Sequence, residues 1–538
     1  MTERVEDYTV ICRGGLDSNR NYLYLNSVKP GSATELVNYE PSLYGGYRRI
    51  EGYNYFDETY QEVDNANAEG KILGIIIFNN EVYAMRKQQS GTTYKVYKYD
   101  SGSGWVAVTT GLTHNTSSGG KTINKIRWSI YNFGTEDRLI WVDGVNNATL
   151  FDGTNWTQAS TSNGGTNFAD AGGAQVLNAP RYVHIFENHI FLSGDPDYPG
   201  VIAHSAPLLD YDWTSSSGAG QLGCGFSVKQ IHAWRDDLVV FGNTDISRIY
   251  VDSSSFVIKN VTKNVGCIAS DSVVELGGDL YYLSRDGIRT YAGTAKINDV
   301  ELEIQSKSIQ QRTRDLVSQT PLDQVTSVII RDKSQVRFFF NNSSVAANTT
   351  SGLLAGFVNY DGNLGLEWAE LRGIRTSVVC SEIISGAEYI LHGDYDGKVY
   401  RQETGNNFVG ENITAIYSSP FLDFGSSMYR KLMREISIFI RPEGSVTLST
   451  AIEFDWGKVS SINPSAYSME DEAAINSIYG EVQYAGSGVV YGGSKFPLLE
   501  TPLEGSCYSV RVKITSSGTD APYSVQGIIF SYSKKGRR

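Results

Sequence analysis

The chain has 538 residues, 41% of them apolar, and a net charge of −13. That is enough apolar material for a large core, and the acidity excludes a protein that grips nucleic acid through a basic surface, because phosphate binding needs clustered Lys and Arg. Tyr (34) and Gly (55) are abundant while Pro is scarce (13), which suits many strands and tight turns better than a helical solenoid.

Residues 1–69 read as an N-terminal extended arm with short strands. The stretch from Gly14 to Phe56 is rich in Gly, Asn and Tyr and shows no period of 3.6 residues. The opening MTERVEDYT has no apolar segment of the secretory kind, and the longest apolar run, ILGIIIF at 72–78, is far too short to span a membrane. The expectation is a chain made in a cytosol that stays soluble or joins an assembly.

Residues 70–412 carry a repeat. A short apolar strand, a tight polar turn and a second strand of aliphatic and aromatic residues recur seven times. The second strands are NNEVYAM (79–85), EDRLIWV (136–142), ENHIFLS (187–193), RDDLVVF (235–241), GGDLYYL (277–283), KSQVRFF (333–339) and AEYILHG (387–393). From Val82 the matching positions are Leu139, Ile190, Leu238, Leu280, Val336 and Tyr389, in steps of 57, 51, 48, 42, 56 and 53 residues. Such a period marks a unit that buries its faces only by stacking on its neighbours. The spacing predicts an all-β fold: an irregular β-propeller of about seven blades. In the first repeat, TYKVYKYD (93–100) supplies a third strand and Trp105–Val108 a fourth, joined by DSGSGW at 100–105. LFDGTNW (150–156) and NYDGNLGLEW (359–368) match it, and DYDW (210–213) and DYDG (394–397) are partial copies. An Asp-Gly turn reverses the chain, since Asp bonds its own backbone and Gly supplies positive φ; the Trp then packs between blades. One helix is expected, over Ser306–Ser318.

Residues 413–538 predict an added C-terminal β-sandwich-like domain. MREISIFIRPEG places Ile436, Ile438 and Ile440 on one side, and CYSVRVKITSSG does the same with Val510, Val512 and Ile514. Between them, 457–506 reads as a long insertion, acidic near Glu470–Glu472. The chain closes on Lys534, Lys535, Arg537 and Arg538, a basic tail that is either solvated or in contact with an acidic partner or nucleic acid.

No catalytic, cofactor-binding or metal-ligating residue emerges. SSGGKT at 117–122 approaches a phosphate loop, but Asn115 stands where the first Gly belongs and no strand-to-helix turn follows. The six His lack any metal-binding spacing, and His184 and His189 straddle a hairpin turn. DPDYPG (195–200) and DYDGKVY (394–400) each offer two Asp without the closing acid of a calcium loop, so turn chemistry is the simpler reading. Cys12, Cys224, Cys267, Cys380 and Cys507 are odd in number, widely spaced and without a C-x-x-C pair, which points to reduced, mostly buried thiols. DSGSGW at 100–105 resembles the Asp-box of sialidases, a structural turn, with Lys98 in place of the usual Ser or Thr. The catalytic set of that family is not found here, and no nucleophile elbow is visible.

The longer pattern resembles the tail nozzle or tail-tube proteins, the "packaged DNA stabilisation" tail accessory proteins, of short-tailed double-stranded DNA bacteriophages. The stretches that carry the resemblance are KQIHAWRDDLVVFGNTDISRIY (229–250), VGCIASDSVVELGGDLYYLSRDGIRTY (265–291), EIQSKSIQQRTRD (303–315) and the YDG–W element at 360–368, in the family's order. GGL at 14–16, PGSATELVNYEPSLYGGYRRIEGYNYF at 30–56 and KGRR at 535–538 add to it. The resemblance implies a non-enzymatic virion protein assembled in the host cytoplasm. Six copies would form a ring below the portal and adaptor, retain the packaged genome and conduct DNA during ejection without binding it specifically. Tail fibres or spikes would dock at the periphery. The acidity fits a lumen that repels phosphate. The alternative is a virion-associated propeller that binds or hydrolyses host surface glycans.

Overall fold

All seven hairpins form. The computed structural model describes residues 4–42, 45–159, 176–292, 304–341, 350–360, 363–458, 461–471, 476–477, 490–491 and 498–537. The hairpins open the sheets Ala68–Ala107, Arg127–Gln158, Tyr182–Gly223, Gln230–Thr262, Val274–Thr290, Val325–Arg372 and Val378–Gln402, hereafter blades 1 to 7. Six stand as separate sheets; blade 6 runs on into a nine-stranded sheet. The first turns are tight because both central residues have positive φ: Asn79 and Asn80, Glu187 and Asn188, Gly277 and Gly278, Ser385 and Gly386. That backbone twist matches the right-handed twist of the flanking strands.

Six of the seven interfaces between blades own an apolar cluster, and the one between blades 5 and 6 merges into the core shared with the C-terminal part. Val82 and Trp105 of blade 1 pack with Cys380 and Leu391 of blade 7. Met85 and Tyr94 meet Leu139 and Trp141 across blades 1 and 2, and Ile140 and Leu150 meet Ile190 and Leu192 across blades 2 and 3. Phe191 and Leu238 share the next interface, Val239 and Leu280 the one after, and Phe339 and Ile390 the one between blades 6 and 7. The first strand of blade 7 packs on that of blade 1, so the array closes on itself.

The Asp-Gly-Trp turns do what their chemistry requires. Asp100 Oδ1 accepts from the Gly102 and Ser103 amides, and Gly104 (φ +73°) turns the chain into Trp105. Trp105 is 9% exposed and donates its indole N–H to the Tyr60 carbonyl. Asp152 repeats the turn through Thr154 and Asn155, and Trp156 stacks on Phe151 at 3.7 Å. In the third copy Trp368 is fully buried against Phe338, while 361–362 lie outside the described residues. The helix is Gln310–Gln319, preceded by a 3-10 turn, and its Leu316 is buried.

The N-terminal arm is threaded through the rest of the molecule. Val5–Ile11 pairs antiparallel with the last strand, Tyr523–Arg537. Glu35–Val37 lies between blade 6 and strand Ile413–Ser418, parallel to the first and antiparallel to the second. Tyr39–Pro41 and Tyr47–Arg49 join the sheet of the last strand, and Tyr53–Tyr55 is the fourth strand of blade 7. Gly52 sits where a Cβ would lie 1.9 Å from the Asn407 carbonyl oxygen, so the arm reaches blade 7 only as glycine.

The C-terminal part is a sandwich. Ile436, Ile438 and Ile440 of Tyr429–Pro442 belong to a seven-stranded sheet, and Val510, Val512 and Ile514 of Val510–Gly518 to the nine-stranded one. All six are buried in one core that also takes in Val10, Tyr47, Leu283, Phe338 and Trp368. Of the 457–506 insertion, Tyr467–Asp471 pairs with Val446–Phe454 and Leu498–Pro502 with Tyr429–Pro442. Residues 472–475, 478–489 and 492–497 lie outside the described residues.

A buried ion network fastens the arm to blade 6. Glu40, 2% exposed, faces Arg48 at 2.7 Å, Lys333 at 2.8 Å and Arg337 at 3.5 Å, and Lys333 and Arg337 also reach Glu403 beyond blade 7. Burial pushes the Glu40 carboxyl up, but Lys333, Arg337 and Arg48 together outweigh it and hold it at about 2. A carboxylate held below its unfolded value of 4.5 contributes stability that is complete above that value and is lost as the pH falls through about 2. Glu40→Gln is expected to cost about 3–5 kcal/mol at pH 7, since it leaves buried cations short of countercharge. Urea unfolding at stepped pH should show the gap to wild type closing between 4.5 and about 2. Trp105→Ala is expected to cost ~3–5 kcal/mol in the same assay; an unchanged midpoint would place that side chain outside the blade interface.

Candidate functional site

In a propeller the first strand of every blade runs the same way along the axis, so the residues just before those strands gather at one end. Here they enclose a cavity of about 730 Å³. Five cationic side chains line it, Lys125, Arg127, Arg181, Lys229 and Arg285, against Asp143 and Asp323. In a chain of net charge −13 this is a local reversal of sign.

Asp271, on the short turn before blade 5, organises one wall. Its carboxylate takes a fork from Arg127 (Nε–Oδ1 2.6 Å, Nη2–Oδ2 3.0 Å) and a third contact from Lys125 at 3.1 Å. Lys125 also donates to the Val325 carbonyl at the start of blade 6, and Ser327 donates to the Asp271 carbonyl. The Arg127 guanidinium lies 5.0 Å above the Tyr182 ring, whose hydroxyl is 2.8 Å from Ser270 Oγ. Blades 2, 3, 5 and 6 are thereby joined through one carboxylate. Burial raises the Asp271 carboxyl, but Arg127 and Lys125 outweigh it and hold it at about 2. Burial lowers Lys125, and burial together with the Lys125 charge brings Lys71, one step back from the rim, down to about 8. Asp143 is raised by burial; its oxygens already accept from the Val145 and Asn146 amides and from Tyr94.

The remaining three cations differ. Arg181, Lys229 and Arg285 have no ion-pair partner among the described residues. Arg181 and Lys229 each stand nine residues before the repeat position of their blade, Ile190 and Leu238, and Asp271 stands nine before Leu280. The same register position thus carries a free cation in blades 3 and 4 and the clamping acid in blade 5. Reading the repeat only from its second strands misses this; extending the alignment nine residues upstream exposes it.

The motifs weighed from the sequence fall elsewhere. SSGGKT is a two-residue hairpin, Ser117–Ser118 with Lys121–Thr122, and Lys121 pairs with Asp195 and Asp197. Asp195 is otherwise occupied by the Ala179 and Asp197 amides, and Asp394 by those of Asp396 and Lys398 and by the Tyr400 hydroxyl. Among the described residues no group of three His, Cys, Asp or Glu is placed to hold a metal ion. His184 and His189 do not meet: His184 lies 4.7 Å from His232 in the next blade, His189 5.2 Å from His204. Burial lowers all four, His184 to about 3 and His204 to about 4, so they pack as neutral rings. The five Cys are free thiols, four of them buried.

No family model matches the chain, and no curated protein matches it. Solved structures do. An exo-β-1,3-galactanase from Phanerochaete chrysosporium aligns over 90% of this chain and 100% of its own, at 9% identity and a TM-score of 0.25. An ancestral GH74 enzyme aligns over 69% of this chain and 50% of its own, at 11% identity and a TM-score of 0.38. BBS1N, solved in complex with ARL6DN, aligns over 67% and 99%, at 7% identity and a TM-score of 0.33.

Replacing the clamp is expected to loosen the mouth. Asp271→Asn strands Lys125 and Arg127 and should cost about 3–5 kcal/mol in denaturant unfolding at pH 7. Hydrogen exchange of blade 5 amides should rise before that of blade 1.

Proposed function

We propose that the chain is a structural subunit of a ring-shaped tail nozzle that extends a portal channel, retains the packaged genome and conducts DNA during ejection. In this reading it is a virion component and not an enzyme. Its partners are further copies of itself, about six to a ring, portal and adaptor proteins above, and fibres or spikes outside. The observation that carries the reading is the outer face of the arm. Six large apolar side chains are exposed between Val5 and Val28: Val5, Ile11, Tyr22, Leu23, Tyr24 and Val28, with Leu23 at 70%. The helix Tyr22–Val28 leans on the sandwich through Tyr22 against Phe421 and Asn26 to Asp423, and Met428 and Tyr429 are also exposed on the sandwich. Apolar residues grouped on a tethered arm are what a neighbouring subunit covers. A wall element also needs rigidity, and the single core running from propeller to sandwich supplies it.

A second reading, glycan binding, draws on a cleft of about 630 Å³ in the sandwich. Trp456 lines it with Arg430, Asn463 and Tyr508 and is 39% exposed, whereas the other seven Trp are buried or half-buried. Trp456 holds φ +58°, a costly conformation for a bulky residue. An aromatic face beside amide and charged groups is carbohydrate-binding chemistry.

Mass measurement in solution separates the two. The nozzle reading expects rings of about six copies, alone or on a portal–adaptor complex. Leu23→Asp should reduce them to monomer with an unchanged melting curve, because that side chain touches little within its own subunit. A persistent monomer that binds host polysaccharide and loses binding with Trp456→Ala overturns it in favour of the second reading.

A further inference from the structure

We infer that the cationic mouth of the propeller is a binding site for a small polyanion, a molecule carrying two or more phosphate or carboxylate groups. Nothing in the nozzle reading requires such a site, and nothing in the resemblance supplies it. Asp271 pairs with both Lys125 and Arg127 and offsets one of their two charges, and Lys121 is held by Asp195 and Asp197. Asp143 is consumed by backbone amides and Tyr94, and Asp323 accepts from Asn124. Arg181, Lys229 and Arg285 are left facing the same cavity with no carboxylate paired to them among the described residues.

They approach from different blades. Arg181 enters blade 3 and Lys229 enters blade 4; Arg285 sits on the turn between the second and third strands of blade 5. Three cations converging from three rigid sheets fix a pattern of charge, where cations along one strand would splay into solvent. Arg181 and Lys229 are half-buried, so part of their hydration is already lost and an oxyanion would restore it. The volume, about 730 Å³, lies in the range that holds one small molecule. The Tyr182 ring, with Arg127 over it, and the Ile268 and Leu322 side chains give the cavity apolar walls between the charges. A volume of this size suits a small molecule with closely spaced anionic groups better than a duplex nucleic acid. Phosphates and carboxylates share that chemistry, and the assay separates them.

The test uses the full chain in low salt. Tripolyphosphate and citrate are titrated by calorimetry, with inorganic phosphate as a monovalent-site control. The proposal expects saturable one-to-one binding of tripolyphosphate or citrate, with the preference between them naming the ligand class. It also expects binding weaker by about tenfold for each of Arg181→Gln, Lys229→Gln and Arg285→Gln, since each removes a charge-assisted contact. These three side chains hold no ion pair among the described residues, so the melting temperature without ligand should stay close to the wild-type value. Lys259→Gln, an exposed lysine on the outermost strand of blade 4 that does not line the cavity, should leave affinity unchanged. The proposal is overturned if neither polyanion binds a folded protein, or if the three variants bind as tightly as wild type. It is equally overturned if a short DNA duplex binds through these residues while tripolyphosphate fails to compete.

Discussion

Three residues join a blade of the propeller to the sandwich in one sheet. Glu35, Leu36 and Val37 complete hydrogen bonding between the last strand of blade 6 and Ile413–Ser418, and so convert a blade and half a sandwich into one nine-stranded sheet. Without them, two long strand edges would face each other unpaired, each a template for wrong partners. Leu36 and Val37 are buried, and the core on either side of them is continuous. A propeller and a sandwich joined by a linker would move independently. Joined through a shared sheet they move as one body.

The same arm closes the propeller. Its Tyr53–Tyr55 strand completes blade 7, so the ring is sealed by residues from the start of the chain lying beside residues from the end of the repeats. That is a loop closure over more than three hundred residues, costly in chain entropy. The Glu40 network and the Gly52 contact lie between the two splice points and fasten the segment at its middle. Glu40 and Arg337 are both almost fully buried, and such charges persist only when each satisfies the other. The arm is therefore specified in register as well as in place.

The propeller's two ends differ in chemistry. At the end where first strands begin, cations from successive blades converge and one carboxylate, Asp271, ties four blades together. Away from it, exposed apolar residues gather on the arm and the sandwich, with others scattered over the blades. A subunit with a charged axial mouth and an apolar flank has two distinct ways of meeting other molecules.

Much of this was legible in the residues. Period-2 alternation at Ile436–Ile440 and Val510–Ile514 marked the sandwich faces, and the recurring hairpin marked the blades, because both signals are local: side chains alternate and turns need particular φ. The Asp-Gly-Trp turns were legible for the same reason. The register position shared by Arg181, Lys229 and Asp271 was present too, but its meaning depends on which blade stands beside which. Only the tertiary structure decided that Asp271 meets Lys125 and Arg127, about 145 residues away, and that Arg181 and Lys229 meet no carboxylate among the described residues. Likewise the arm between Glu35 and Tyr55 carries no periodic signal, since each of its four strands there is three residues long and borrows its partners from blade 6, blade 7 and the C-terminal sheet. Sequence determines an element when the forces that make it act between near neighbours; where pairing is supplied by distant strands and charges, only the folded chain decides.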